Sequence, residues 1–273
     1  MLRLSIVVLF GVSGAMSEPI EGVTPVFESQ LTERGIVFEP LDDGRYELKT
    51  QAGDMKIALD NLSRQYSRNQ DEATVSRFID SILSGLTLLP TWQDSQSHVF
   101  PMLESTVVDI GDDTIRKAVT DSTRLLLVHF NEDAGIIRFL RGSDLGRWGI
   151  SEDDAWKAAA ATLDRVMQAT EVSYIDAGDL RLGVIEANEP YKASLIRAPS
   201  LRSKVEQELG WPIYAVAPSR GIVYLLAQKD IDQIGRLGDV VLKQFKSAEY
   251  PISTEIWEIG DDDIEMVGSF PTE

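Results

Sequence analysis

The chain has no cysteine, and its 273 residues include only two histidines, His98 and His129. The missing thiol excludes cysteine nucleophiles, thiolate zinc sites, iron–sulfur clusters and disulfides. Two imidazoles cannot fill a three-histidine metal site. The one apolar run near the start, Leu4 to Val12, falls short of the roughly 20 residues that span a bilayer. Basic side chains are scarce, with 26 Lys and Arg against 44 Asp and Glu and a net charge of −18. Nucleic-acid binding works by lysine and arginine displacing condensed counterions. Here the basic residues are scattered among acids, so nucleic acid is not an expected partner. The acidic surface favours solubility and a weak pull on cations or basic partners.

What is present reads as globular. Hydrophobic residues make up 43% and charged residues 26%, enough apolar side chain to bury a core. The length accommodates one or two domains of roughly 100–200 residues. The amino terminus carries Arg3, then the Leu4–Val12 run, then small residues at Ser13, Gly14, Ala15 and Ser17. This order is that of a secretory signal peptide. Ala15 and Ser17 fit a cut before Glu18, and a cut after Ala15 also fits. The competing reading is a buried first strand. The expected organisation is a signal over 1–17, an α+β region over 24–110 and a second α+β region over 111–268. The expected location is exported and periplasmic, or cytoplasmic if residues 1–17 are not a signal.

Turn chemistry organises the rest. Asp42-Asp43-Gly44 predicts a hairpin between strands at 35–39 and 45–50, because glycine supplies the positive φ of a tight turn. Asp71 predicts an N-cap for a helix whose stripe is Val75, Phe78, Ile79, Ile82, Leu83 and Leu86. Leu89 to Pro101 reads as a polar connection, and 99–110 has little periodicity. Strands are expected at 124–130 and 136–141, and a capping box at Ser151 to Asp154 opens the next helix. Three strands follow at 172–175, 180–186 and 191–197, then a helix after Pro199 and a hairpin at 213–227. A last helix capped by Asp230 and strands at 255–259 and 264–267 complete the chain. Tight hairpins imply antiparallel pairing. The expected fold class is therefore α+β, hairpin-rich, with helices packed on antiparallel sheets.

Catalytic signatures are weak. Asp261-Asp262-Asp263 with Glu265 is the densest acidic cluster. It lacks the alternate-position ligands of a calcium loop and reads as a solvated turn. Gly178 and Gly183 have the P-loop separation, but Val184 stands where lysine is required. Gly142, Gly146 and Gly149 miss the dinucleotide fingerprint and read as turn glycines. Gly235 and Gly238 read either as tolerated helix glycines or as a close-approach surface. His129, between apolar neighbours, reads as a sheet residue. His98, in the polar connection, is a freer candidate for acid–base work.

Several stretches together resemble the uncharacterised bacterial YtpQ-like family, domain of unknown function 1444. They are Asn61 to Tyr66, Val99 to Leu103, Thr123 to Leu125, Trp148 to Glu152, Tyr191 to Leu195, Ala215 to Arg220 and Tyr250 to Ser253. The likeness covers roughly 31–267, although the export signal departs from the family pattern. The resemblance implies no activity, cofactor or catalytic residue. Tyr191 and Arg220, which lie in these stretches, join His98 as candidate ligand or partner residues. The expected function is binding or interaction with an unidentified protein or small molecule, with no cofactor, no metal and no stable membrane span. A carboxylate-based hydrolase is the alternative, and it requires two acids converging with separated pKa values.

Overall fold

The computed structural model describes residues 6–8, 22–41, 45–50, 53–59, 62–63, 66–67, 70–85, 89–108, 110–131, 136–178, 180–187, 191–248, 250–261 and 264–272. The chain divides into two compact units. The first joins 1–91 to the segments 107–113 and 130–138. The second joins 92–106, 114–129 and 139–273.

The first unit packs helices on a sheet. Helix α1 (Val23–Glu33) buries Val23, Phe27 and Leu31, one residue per turn along a single stripe. Sequence reasoning did not anticipate this helix, because the stripe is narrow and Pro25 lies in its first turn. Proline is tolerated there, since the first turn has no intrahelical partner for its missing N–H. Strands β1 (Ile6–Val8), β2 (Val37–Pro40), β3 (Arg45–Thr50) and β4 (Gly53–Ala58) form a sheet in the order β1-β4-β3-β2. Strands β2 and β3 pair antiparallel in the expected hairpin, with Pro40 opposite Tyr46. Their turn residues 42–44 lie outside the described residues. Helix α2 (Glu72–Gly85) begins where Asp71 accepts the Ala73 N–H at 3.0 Å. Its buried Val75, Ile79 and Ile82 meet Phe27, Leu48 and Ile57 in one cluster. Each such side chain contributes roughly 1.5–3 kcal/mol when fully buried.

In the second unit, the expected polar connection is ordered structure. Helix α3 (Trp92–Ser95) and a 3₁₀ turn (Gln96–His98) lead into β5 (Val99–Ser105), which is buried at every position. A strand covered on both faces shows no alternation, which is why periodicity missed it. Strand β7 (Thr123–Asn131) pairs antiparallel with β5 and with β6 (Arg116–Ala118), and β8 (Ile136–Phe139) also pairs with β7. Of the glycines at 142–149, Gly142 and Gly146 lie in a helix and only Gly149 takes the expected turn conformation. Gly142–Trp148 is helix α4, and Gly149 ends it in the left-handed region at φ 69°, where a missing Cβ removes the steric cost. Helix α5 (Glu152–Ala169) starts as expected, the Asp154 N–H donating to Ser151 Oγ at 3.1 Å.

The largest described sheet has six strands: β9 (Glu171–Ala177), β10 (Leu180–Glu186), β11 (Ile213–Ser219), β12 (Ile222–Ala227), β13 (Glu255–Ile259) and β14 (Ile264–Ser269). Their order is β14-β13-β11-β12-β10-β9, antiparallel throughout. Helix α6 (Leu201–Leu209) packs on β9 and β10. Leu180, Leu182, Tyr214, Val216, Leu226 and Ile256 cluster with Leu237, Val241 and Phe270. The expected strand at 191–197 is instead a 3₁₀ helix, Lys192–Arg197, whose Ala193, Ser194, Leu195 and Ile196 are all buried. A short continuous apolar run fits either state, and its surroundings decide. The last helix also starts later than expected. Gln228–Leu237 is 3₁₀, Asp230 lies inside it, and helix α7 (Gly238–Ser247) follows. A Cβ on Gly238 would sit 3.3 Å from Phe270, so this glycine does serve a close approach. The molecule is thus α+β with hairpin-rich antiparallel sheets and helices packed on them. Among the described residues, no helix is long and apolar enough to cross a membrane.

Candidate functional site

Arginine in a hairpin turn is normally solvated, but Arg220 is not. It follows β11, whose register with β12 shifts between Val216 and Ser219, and only 7% of its surface is exposed. Its Nε donates to Glu104 Oε2 at 3.0 Å, and its Nη2 donates to the same oxygen. Glu104 Oε1 accepts the Ser105 N–H at 3.0 Å. The guanidinium carbon lies 4.3 Å from the centroid of the Tyr250 ring, within cation–π range. The backbone of Arg220 is also engaged, its N–H donating to Tyr250 O and its carbonyl accepting the Ala193 N–H.

Tyr191 is buried and stacks on Phe100 with centroids 4.0 Å apart. Three residues on, Ser194 Oγ accepts the Leu103 N–H at 2.7 Å. Phe100, Met102 and Glu104 share one face of β5 by strand alternation, and that face meets Tyr191 and Arg220. Four of the stretches that carry the family resemblance, around 99–103, 191–195, 215–220 and 250–253, therefore converge on one buried cluster. Tyr191 and Arg220 belong to it together, while His98 stands elsewhere in the second unit.

His98 closes the 3₁₀ turn before β5, half-buried. Its ring lies 5.9 Å from that of His129, tilted by 45°. Helix α5 borders this turn, where Arg165 Nη2 donates to Ser97 O at 3.1 Å and Thr162 Oγ1 to Gln96 O at 3.4 Å. Sequence reasoning considered the two histidines separately, and only the pairing of β5 with β7 unites them.

Several functional-looking groups went unread. Glu104 is the single acid inside Val99–Ser105, and a lone charge in an apolar run is the signal that could have identified it. Glu255 is a second buried acid. Its Oε2 accepts from Thr120 Oγ1 at 2.8 Å and from the Trp257 indole N–H at 3.0 Å. Within the acidic cluster, Asp261 accepts from Arg202 and from the Trp211 indole, while 262–263 lie outside the described residues. Arg202 is in turn pushed above its ordinary range by the Glu206 hydrogen bond first, then by Asp261.

The sheet edges complete the picture. Strand β9 pairs with β10 over all seven of its residues without a bulge, and among the described strands it has no partner on its other side. Ile175, opposite Leu182, is 54% exposed on this strand. On the other face Tyr174 donates to Lys204 O, and burial, then Glu208, raises its phenol pKa. The opposite edge, β14, exposes Met266 and Val267, and a register shift interrupts its pairing with β13 there. No protein-family model, curated protein or solved structure is significantly similar to this chain.

Proposed function

We propose that the protein acts by binding, and that it takes an extended segment of a partner protein along the edge of β9 on which no described strand pairs. The observation that carries this reading is that edge itself. It is seven residues long, regular, and marked by the exposed Ile175. Folded proteins usually blunt such edges with bulges, proline or inward charges, because an open ladder recruits another strand. A strand added there gains main-chain hydrogen bonds, and alternate side chains give selectivity. Glu171, Asp176 and Glu186 are exposed at this border, and Arg181 is already paired with Asp176 and Glu208. Together with the net charge of −18, they favour a segment bearing lysine or arginine.

A photo-crosslinking residue at position 175 is the test. The expected product is a covalent adduct to an identified partner peptide, lost when Val172→Pro removes a donor that faces the open edge, since Ser173, opposite Val184, spends its own N–H on β10. An adduct that survives Val172→Pro, or no adduct in the native host, would reject edge recognition.

The alternative, a carboxylate-based hydrolase, draws less support. Among the described residues the buried acids are Glu104, Asp144, Asp230 and Glu255, and Glu104, Asp144 and Glu255 each already accept from partners within the fold.

We also infer export, from the residue order of 1–17. Within 1–17 the described residues 6–8 form the edge strand β1, parallel to β4. Cleavage before Glu18 leaves the sheet as β4-β3-β2. Intact mass of the native protein decides between a processed chain and one that retains β1. Membership of the YtpQ-like family is likewise our proposal. Its support is the convergence of four resembling stretches on the Arg220 cluster.

A further inference from the structure

On one face of β9 the side chains of Glu171, Ser173 and Ile175 stand in line. Ile175 lies opposite Leu182, Leu182 opposite Leu226, and Leu226 opposite Tyr214, so an apolar row crosses the sheet from β9 to β11. Its inner members belong to the buried cluster that includes Val241 of α7, while Ile175 is 54% exposed at the outer end. Four residues away on the same face, Glu171 lies opposite Glu186, and both are exposed. Like charges directly opposite each other destabilise a sheet, and among the described residues no lysine or arginine pairs with either. Ser173 Oγ donates to Glu186 Oε1 at 2.5 Å, which fixes that carboxylate on this face. We propose that the segment taken along β9 runs antiparallel to it and carries two marks on one face: an apolar residue beside Ile175 and, four residues later, a lysine or arginine beside Glu171 and Glu186. This inference rests on the reading of β9 as an edge that accepts a strand, and it names the chemistry of the occupant.

The backbone sets the register. Ser173 and Ile175 spend their main-chain groups on β10, so the alternation of an antiparallel ladder turns those of Val172, Tyr174 and Asp176 outward. A strand bonded to these three places its own residues beside Ile175 and Glu171 on one side, since strand residues four apart share a face. An antiparallel addition continues a sheet that is antiparallel throughout, and it pairs slightly better per residue than a parallel one. An apolar residue beside Ile175 lengthens the apolar row by one strand and removes the exposed end from water. A cation beside Glu171 and Glu186 relieves their repulsion. The opposite face of β9 selects less. There Tyr174 donates to Lys204 O of α6, and Asp176 is already paired with Arg181. A second copy of this chain fits the edge poorly, because β9 itself carries Glu171 and Asp176 and no lysine or arginine.

The test uses the full-length chain and fluorescein-labelled, capped heptapeptides on a threonine background, read by fluorescence anisotropy. The parent peptide has valine third and lysine seventh. Glutamate in the seventh place, serine in the third, or the whole order reversed should each weaken binding by about threefold to tenfold. Glu171→Lys should invert the preference at the seventh place in favour of glutamate, and Ile175→Ser should erase the preference at the third. Val172→Pro should abolish binding of every peptide. Circular dichroism checks that the variants fold, and if Val172→Pro does not, the inversion in Glu171→Lys alone decides. Equal affinity for all four peptides, abolished by Val172→Pro, overturns this inference while β9 still accepts strands. Tighter binding of the reversed peptide overturns it too, because the added strand is then parallel. Binding that Val172→Pro leaves intact, or no binding, removes the edge reading and this inference together. A dimer in analytical ultracentrifugation that Val172→Pro dissociates puts a second copy on the edge and overturns the proposal.

Discussion

Arg220 and Glu104, 116 residues apart in sequence, meet as a buried ion pair with 8% and 1% of their side chains exposed. Attraction in the interior is strong, but so is the cost of removing both charges from water. Such a pair specifies an arrangement more than it adds stability. Arg220→Met leaves the Glu104 carboxylate buried without its partner and is expected to destabilise by about 3–5 kcal/mol. Glu104→Leu combined with Arg220→Met should recover most of that loss. Urea denaturation of the two single variants and the double variant measures the coupling.

Ser194 satisfies a backbone donor of β5 from a different segment of the chain. Ser194→Ala removes the acceptor of the Leu103 N–H in a fully buried position. The expected loss is about 1–3 kcal/mol, the cost of an unsatisfied buried donor. Thermal or urea unfolding measures it, and Ser194→Thr, which retains the hydroxyl, should lose less.

Gly183 lies under Leu209. A Cβ built there meets Leu209 at 3.1 Å, the Leu225 Cβ at 3.2 Å and Val172 at 3.5 Å. Gly183→Ala should therefore destabilise by about 1–3 kcal/mol through overpacking. The effect should be smaller in a Leu209→Ala background, which frees the space. A double-mutant cycle reads this coupling directly.

Tyr46 predicts a pH dependence. Burial, then the hydrogen bond to Glu28, pushes its phenol from 10.0 up to about 12. A folded-state value above the unfolded one means stability that is complete below pH 10 and lost as the pH rises towards 12. Ultraviolet titration should contain a late-ionising tyrosine that disappears in Tyr46→Phe. The stability of that variant should fall less steeply across the same window.

Much of the fold was legible where local chemistry decides it. Ser151 before Asp154, Asp71 before the Val75–Ile82 stripe, the Asp-Gly step between β2 and β3, and the turn around 218–221 act within a few residues. Their helices and hairpins are present. The misread segments share a different property. Val99–Ser105 and Lys192–Arg197 have continuous burial, so neither a two-residue nor a 3.6-residue period marks them. One is a strand because β7 pairs with it. The other is a 3₁₀ helix, its Ser194 and Ala193 bound to Leu103 and Arg220.

The candidate residues divide in the same way. Residue chemistry excludes thiol catalysis and leaves too few imidazoles for a three-histidine metal site. It also determined where the chain turns, because turn and cap preferences are properties of single residues and their nearest neighbours. Long-range packing makes Arg220 interior, stacks Tyr191 on Phe100, and brings His98 beside His129. Those facts depend on contacts between segments far apart along the chain. Such contacts arise when strands pair and apolar faces are covered, which no local pattern encodes.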